Sequence, residues 1–296
     1  MGDRKSIGRS GLPSSGMAGR EDRVQTQLAG IPVSGVSIAG HETWFHFPTL
    51  GLAFDLGRAP TELVPVSHVF LTHAHLDHAA GLAYWCSQRR LARLGGGIAW
   101  TDPSTVDTWR TILGLHARLE GVEYDAAVEP MAPGETMVLR KDLEVTAFRV
   151  AHRVPALGFV ASERRHRLKP SWRGRGADEI REATARREEI SESWTRPLVA
   201  FCGDTSADVF RIAPPEVFRA KVLLLECSFV EDEHKDRANG WGHIHLSELA
   251  DHSDLFENEV VVLTHLTLRT GPAEIRRLVN KRLPPGLAAR TVPFLP

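Results

Sequence analysis

The sequence predicts an α/β chain in which two β-sheets pack face to face with helices on their outer sides. Three observations predict it. Apolar runs of strand length recur through both halves of the chain, at 66–71, 143–150, 197–202, 222–226 and 260–264. Stretches with helical spacing lie among them, at 77–94, 104–119, 246–256 and 272–283. Several of the runs stop at a histidine or an aspartate, which a rigid strand can carry to a shared sheet edge. Strands dominate each half and helices cover them, which is the pattern of an αβ/βα sandwich.

The elements follow in order. Order begins near Ile31, where 31–39 alternates as a strand; 43–47 and 50–55 continue as strands, with turn signals at Pro48 and Gly57. The strand 66–71 leads into the helix 77–94, which ends at Gly95-Gly96-Gly97. A short strand at 98–101 precedes the helix 104–119, with Ser104 as its N-cap. Strands follow at 137–140, 143–150 and 158–162, and then the composition shifts: 163–194 is almost entirely charged or polar. Strands resume at 197–202, 222–226 and 260–264, the helices 246–256 and 272–283 flank the last of these, and 291–294 is a final edge strand. Residues 1–25, rich in Gly, Ser and Arg and lacking an apolar core segment, read as a disordered extension and not as a secretory signal. The folded domain is then 26–296, with an arm inserted at about 163–194.

A chain of 296 residues, 42% of them hydrophobic, can bury a sizeable core. A formal charge of −1 excludes a protein that coats nucleic acid over its whole surface, so any such binding is local. Cys86, Cys202 and Cys227 have no CxxC spacing, which points to a reducing, cytoplasmic setting and not to a disulfide framework. No apolar stretch approaches the roughly 18 residues that span a membrane.

The chemistry is concentrated in His73-Ala74-His75-Leu76-Asp77-His78, directly after Val69-Phe70-Leu71. Neutral imidazole and carboxylate are ligands that zinc and its first-row neighbours accept, and a strand ending in such a cluster delivers several to one place. Four other apolar runs end in a ligand-type residue: Asp55 after Phe54, His152 after 143–151, Asp204 after Cys202-Gly203, and His265 after 260–264. Taken singly, each is as well explained by a hydrogen-bonded strand-end residue.

In this order, the motif His73–His78, then His152, Gly203-Asp204-Thr205 and Thr264-His265, resemble the metallo-β-lactamase superfamily from about Ile31 to the C-terminus. The resemblance narrows to the ribonuclease Z family, in its short, plant-like form. The supporting segments are Gly40-His41-Glu42-Thr43, 54–58, 140–143 and Gly242-His243-Ile244-His245-Leu246-Ser247-Glu248. It implies a four-layer αβ/βα sandwich with a protruding arm, and two metal ions, zinc or else manganese. His73, His75 and His152 would hold one ion, Asp77, His78 and His265 the other, and Asp204 would bridge them. Asp55 would hold a ligand imidazole from behind, the alternative being an ordinary turn aspartate. The implied catalytic set is Asp77, His243 as proton donor and Glu226 as its orienting carboxylate, with His245 a rival for the donor role.

Thr205, Thr267 and Arg269 suit a scissile phosphate, since hydroxyls and a guanidinium fit its oxygens. Here the chain departs from the family, reading His265-Leu266-Thr267-Leu268-Arg269-Thr270 where aromatic positions are usual. Arg164, Arg165, Arg167, Lys169, Arg173 and Arg175, with Trp172 among them, resemble the family's tRNA-gripping arm; the alternative is a solvated loop. The implied activity is endonucleolytic removal of 3′ trailers from precursor tRNA, leaving a 3′-hydroxyl, by a homodimer. The rival reading keeps the site for a small phosphodiester, a lactone or a thioester.

Overall fold

The computed structural model describes residues 23–296. The first sheet runs β1 (Val24–Leu28), β2 (Ile31–Ile38), β3 (Glu42–Phe47), β4 (Leu52–Phe54), β5 (His68–Phe70), β6 (Ile98–Thr101), β7 (Ala127–Pro130), with neighbours in chain order. Its strands are antiparallel as far as β4 and parallel from there on. The second sheet, β8 (Thr136–Arg140), β9 (Leu143–Arg149), β10 (Leu157–Leu168), β11 (Ser191–Phe201), β12 (Val222–Glu226), β13 (Val260–Thr264) and β14 (Thr291–Pro293), repeats that plan. It is antiparallel from β8 to β11 and parallel beyond.

Three apolar layers make this the expected four-layer sandwich. The central layer joins the sheets through Phe45, Phe54, Phe70, Phe159, Phe201 and Leu224. The Phe54 and Phe159 rings stack at 6.2 Å, and Phe45 meets Phe201 edge-on at 5.2 Å. An outer layer packs α1 (Leu76–Ala79), α2 (Leu82–Leu91) and α3 (Val106–Glu120) on the first sheet. After α4 (Ala177–Ala185), which belongs to the arm, the remaining helices follow the second sheet: α5 (Val209–Ile212), α6 (Pro215–Arg219), α7 (Lys235–Trp241), α8 (Leu246–Asp251), α9 (Pro272–Arg282) and α10 (Pro285–Ala288). Apolar residues of α5, α6, α8, α9 and α10 form the other outer layer. Among the described residues no helix is long and apolar enough to cross a membrane.

Several elements differ from expectation for local reasons. The predicted disordered extension lies outside the described residues up to position 22, but Val24 and Gln25 belong to β1, which pairs with β2 through Leu28↔Ile31. The helix expected at 77–94 breaks into α1 and α2 at Gly81, where a Cβ would stand 2.4 Å from the Ala59 backbone nitrogen. Ser104 is not the N-cap; Asp102 takes that place for a short 3-10 turn and accepts from the Ser104 amide at 2.9 Å.

The segment taken for a polar insertion is a structured arm. β10 and β11 run on as a two-stranded ribbon from Glu163↔Arg196 to Leu168↔Ser191, closed by a 3-10 turn at Pro170–Trp172 and by α4. The start of β10 adjoins the ligand loop, since the Leu157 amide donates to the Thr72 carbonyl at 2.8 Å. From Leu157 to Glu163 is six strand steps, about 20 Å, so the arm leaves the end of the sheet remote from the ligands. It does not fold over the site, the arrangement that would have favoured a small substrate.

Candidate metal centre

The candidate ligands converge although they come from four chain segments. β5 ends at Phe70, and the loop after it carries His73 and His75 before α1 presents Asp77 and His78. His152 follows β9, Asp204 follows β11 and His265 follows β13. Ligand atoms of His73, His75, His152 and Asp204 all lie within 4.8 Å of one another, and so do those of Asp77, His78 and His265. Asp204 joins the groups: its Oδ1 is 3.3 Å from His78 Nε2, and its Oδ2 is 3.3 Å from His265 Nε2 and 3.7 Å from His73 Nε2.

Backbone geometry at these strand ends is unusual. Asp55 and His265 adopt positive φ, 54° and 55°, a left-handed conformation that disfavours side chains with a Cβ. His265 is held there by its amide, which donates to Ser37 Oγ at 2.8 Å. Gly203 also has positive φ, 59°, and a Cβ there would come within 2.7 Å of Thr72. The turn that aims Asp204 at the cluster therefore requires glycine.

Buried carboxylates fix the imidazoles. His78 Nδ1 donates to Asp55 Oδ2 at 2.7 Å, and both side chains are fully buried. Asp55 also accepts from the Thr72 hydroxyl at 2.9 Å, and that hydroxyl lies 3.0 Å from His73 Nδ1. Glu226 does the same in the other half. Its Oε1 lies 2.8 Å from His243 Nδ1, its Oε2 accepts from the Ser228 hydroxyl at 2.8 Å, and that hydroxyl is 2.9 Å from His265 Nδ1. His73, His78 and His265 are thereby held at Nδ1 and present Nε2 to the centre. Thr72, Ser228 and Ser37 escaped the sequence reading; the one available signal was that Thr72 and Ser228 each lie within two residues of a residue already singled out.

The donor set fits divalent metal ions. His78 Nε2, His265 Nε2 and Asp204 Oδ1 are buried and have no hydrogen-bond partner, which costs free energy unless a cation satisfies them. His75 Nδ1 lies 3.0 Å from His73 Nε2 and 3.4 Å from His152 Nε2, lone pairs converging where a positive ion would relieve their repulsion. Burial holds His73 well below the usual imidazole range, and His152 lower also, so both favour the neutral form that binds metal. Burial would raise Asp204, but His265 and His78 hold it well below the ordinary carboxylate range. For His78, burial opposes charge, yet Asp204 and Asp55 carry it well above the usual value.

His243 and His245 separate cleanly. His245 is fully buried as the N-cap of α8; its Nδ1 accepts from the Ser247 amide at 3.2 Å and its Nε2 lies 3.0 Å from the Glu231 carbonyl. It is a capping residue remote from the chemistry. His243 faces the centre, stacked on His265 at 5.1 Å and 5.8 Å from His152. Burial would lower its pKa, but the Glu226 carboxylate, through charge and hydrogen bond, raises it above the ordinary imidazole value.

Two phosphate and RNA candidates need correction. Thr205 is fully buried; its hydroxyl accepts from the Ala151 amide at 3.2 Å and donates to the Ser206 carbonyl at 3.2 Å, so it braces the turn and does not face a phosphate. Thr267 is half-buried and Arg269 exposed just beyond His265, so both remain placed for contact. In the arm, Arg164 pairs with Glu144, Arg165 with Glu163, Arg167 with Glu192 and Lys169 with Glu189, at 2.7–3.2 Å. The arm is therefore less cationic than its arginines suggested, although Arg173 is exposed and Arg175 lies over the Trp172 ring at 4.5 Å.

Residues 44–266 match a family described as the beta-lactamase superfamily domain. The chain is 34% identical to tRNase Z TRZ1 of Arabidopsis thaliana over 91% of its own length and 97% of that protein's. It is 31% identical to the chloroplastic tRNase Z TRZ2 of the same plant, over 92% of its own length and 77% of the relative's. In three dimensions it resembles the short form of human tRNase Z, with TM-score 0.52 and 19% identity over 84% of this chain and 93% of that one. It also resembles the metallo-beta-lactamase fold protein YhfI from Bacillus subtilis, with TM-score 0.59 and 14% identity over 87% and 92% of the two chains.

Proposed function

The chain belongs to the beta-lactamase superfamily and, within it, to the tRNase Z family, and from that membership we propose that it removes 3′ trailers from precursor tRNA by hydrolysing one phosphodiester. The observation that carries this reading is the likeness to TRZ1 along 97% of that protein. The bond cut would lie 3′ of the discriminator nucleotide, leaving a 3′-hydroxyl on the tRNA and a 5′-phosphate on the trailer.

His73, His75, His152 and Asp204 would hold one divalent ion, and Asp77, His78, His265 and Asp204 a second, with zinc favoured by the imidazole-rich set and manganese an alternative. Ions bound there supply a water-derived nucleophile near neutral pH and offset charge on the phosphate. Asp55, directly and through Thr72, and Glu226, through Ser228, keep the ligand imidazoles in the tautomer that binds. His243 also lies within ligand distance of Asp204 and His265. The donor role rests on the family pattern, in which this histidine stands outside the metal ligands, and Glu226, holding Nδ1, leaves Nε2 free to carry a proton. His243 would pass its Nε2 proton to the departing ribose O3′.

Thr267 and Arg269 would grip phosphate near the cut. The arm's exposed ion pairs are weak because water competes for them, so RNA phosphates can replace the carboxylates on Arg164, Arg165, Arg167 and Lys169. Pointing away from its own centre, the arm suits a homodimer in which it serves RNA cut on the partner. Three buried, unpaired thiols suit a reducing compartment such as the cytoplasm.

The test is incubation of the protein with a trailer-bearing precursor tRNA, with and without chelator, and mapping of the cut. Cleavage 3′ of the discriminator that chelator abolishes supports the proposal. A protein with metal bound that leaves the precursor intact overturns it.

A further inference from the structure

Two unlike cavities adjoin the candidate ligands. One, of about 710 Å3, is lined by Gly242, His152 and Ser206 and carries Arg153 together with the ion pair Arg211–Asp208. The other, of about 420 Å3, is lined by Ala74, Leu76, Thr108, Trp109, Ile112 and Pro155, among others. Among the described residues its lining contains no arginine or lysine. Ala74 lies between His73 and His75, so this second cavity opens directly beside the ligand loop. Leu76, on its rim, is 74% exposed between two candidate ligands, a position that core packing does not explain. Thr108, Ile112 and the buried Trp109 share the stripe of α3 that faces the cavity.

We propose that this apolar cavity receives the base of the first trailer nucleotide, the one that keeps the phosphate after cleavage. The inference rests on the tRNA reading and on His243 as the donor to the leaving oxygen. The imidazoles are ordered around the centre: His152 is 5.1 Å from His75 on one side and 5.8 Å from His243 on the other. The tRNA ribose, whose O3′ departs, must lie on the His243 side, beside the larger cavity. The nucleoside attached through O5′ must then lie on the His75 side, where the apolar cavity begins. A cavity without fixed cations is a poor phosphate site. Its volume and lining suit an unstacked base, whose faces pack on aromatic and aliphatic side chains and whose edge can meet a few hydroxyls such as that of Thr108. Because packing does not read an edge pattern, the site tolerates any base.

The experiment is single-turnover cleavage of one precursor tRNA that is intact, abasic at the first trailer position, or abasic at the discriminator. The metal-loaded enzyme is used as wild type and as Thr108→Glu, an exposed helix position outside the ligand set. Removing the first trailer base should raise the half-saturating enzyme concentration by roughly 5- to 150-fold. Thr108→Glu should weaken the intact precursor while leaving the first-position abasic one unchanged, and should not alter hydrolysis of a small chromogenic phosphodiester. Ile112→Ser should give the same selective loss if the added charge disturbs α3. If the intact precursor is cut but losing the first trailer base has no effect, or Thr108→Glu penalises both substrates equally, the subsite is wrong. If the selective coupling appears at the discriminator, the orientation is wrong and the proposal fails. If the intact precursor is not cut at all, the tRNA reading falls and this inference with it.

Discussion

The two halves of the molecule run the same course and put it to different use. Each passes through four antiparallel strands and then three parallel ones, and each sets one buried carboxylate behind a pair of imidazoles. In the first half Asp55 holds His78 directly and His73 through the Thr72 hydroxyl. In the second half Glu226 holds His243 directly and His265 through the Ser228 hydroxyl. Both carboxylates are fully buried, and these hydrogen bonds satisfy their oxygens. In the first half both imidazoles are ligand candidates. In the second, one is a ligand candidate and the other faces the place where a leaving oxygen would need a proton. One hydrogen-bond device therefore serves two purposes, and the position of the directly held ring decides which.

The largest effect should come from Asp204→Ala, because this carboxylate reaches ligand atoms of both groups. Bound metal, counted by elemental analysis, and precursor cleavage should be lost together. His243→Ala should instead keep the metal and slow single-turnover cleavage by about 10²- to 10⁴-fold. If it emptied the site, the asymmetry between the halves would be wrong.

A pH profile sharpens the same point. The His243 pKa is raised, so the donor is protonated below that value and cleavage should fall as pH rises through it, above the ordinary imidazole range. Glu226→Gln removes the raising charge, so this alkaline limb should move to lower pH. An unmoved limb would take the donor role away from His243.

Weakening the hydroxyl relays should have matching, smaller effects. Thr72→Val and Ser228→Ala should each lower metal affinity by about 10- to 100-fold in chelator competition, since each leaves one ligand imidazole unanchored. The smallest effect should lie in the arm. Arg165→Ala with Arg167→Ala should leave the melting temperature and small-diester hydrolysis unchanged, and should weaken precursor tRNA a few-fold, with a shallower dependence on salt.

The first half was largely legible because its ligands lie in one loop: four of them fall between His73 and His78, and no fold is needed to see them together. The second half contributes single residues at 152, 204, 226, 243 and 265, which only the resemblance linked before the strands were placed. His243 and His245 stand two residues apart; the helix expected from 246, with Glu248 three residues after His245, marked 245 as its N-cap position, but only the fold turned the His243 ring to the centre. Thr205 looked suited to a phosphate because a hydroxyl beside a candidate ligand invites that reading; burial turned it inward to the backbone.

The sequence by itself determined the layers, since the spacing of apolar residues dictates which faces must be buried, and it determined the first ligand cluster. The tertiary structure decided what long-range contact alone can decide. It brought Asp204 and His265 to the loop at 73–78, set Asp55 and Glu226 behind the imidazoles, turned the arginine-rich insertion into a self-paired ribbon, and opened an apolar cavity beside Ala74. The physical reason is range. Periodicity and turn chemistry act over a few residues, whereas a hydrogen bond or a shared ion joins groups more than a hundred residues apart, and only packing fixes that distance.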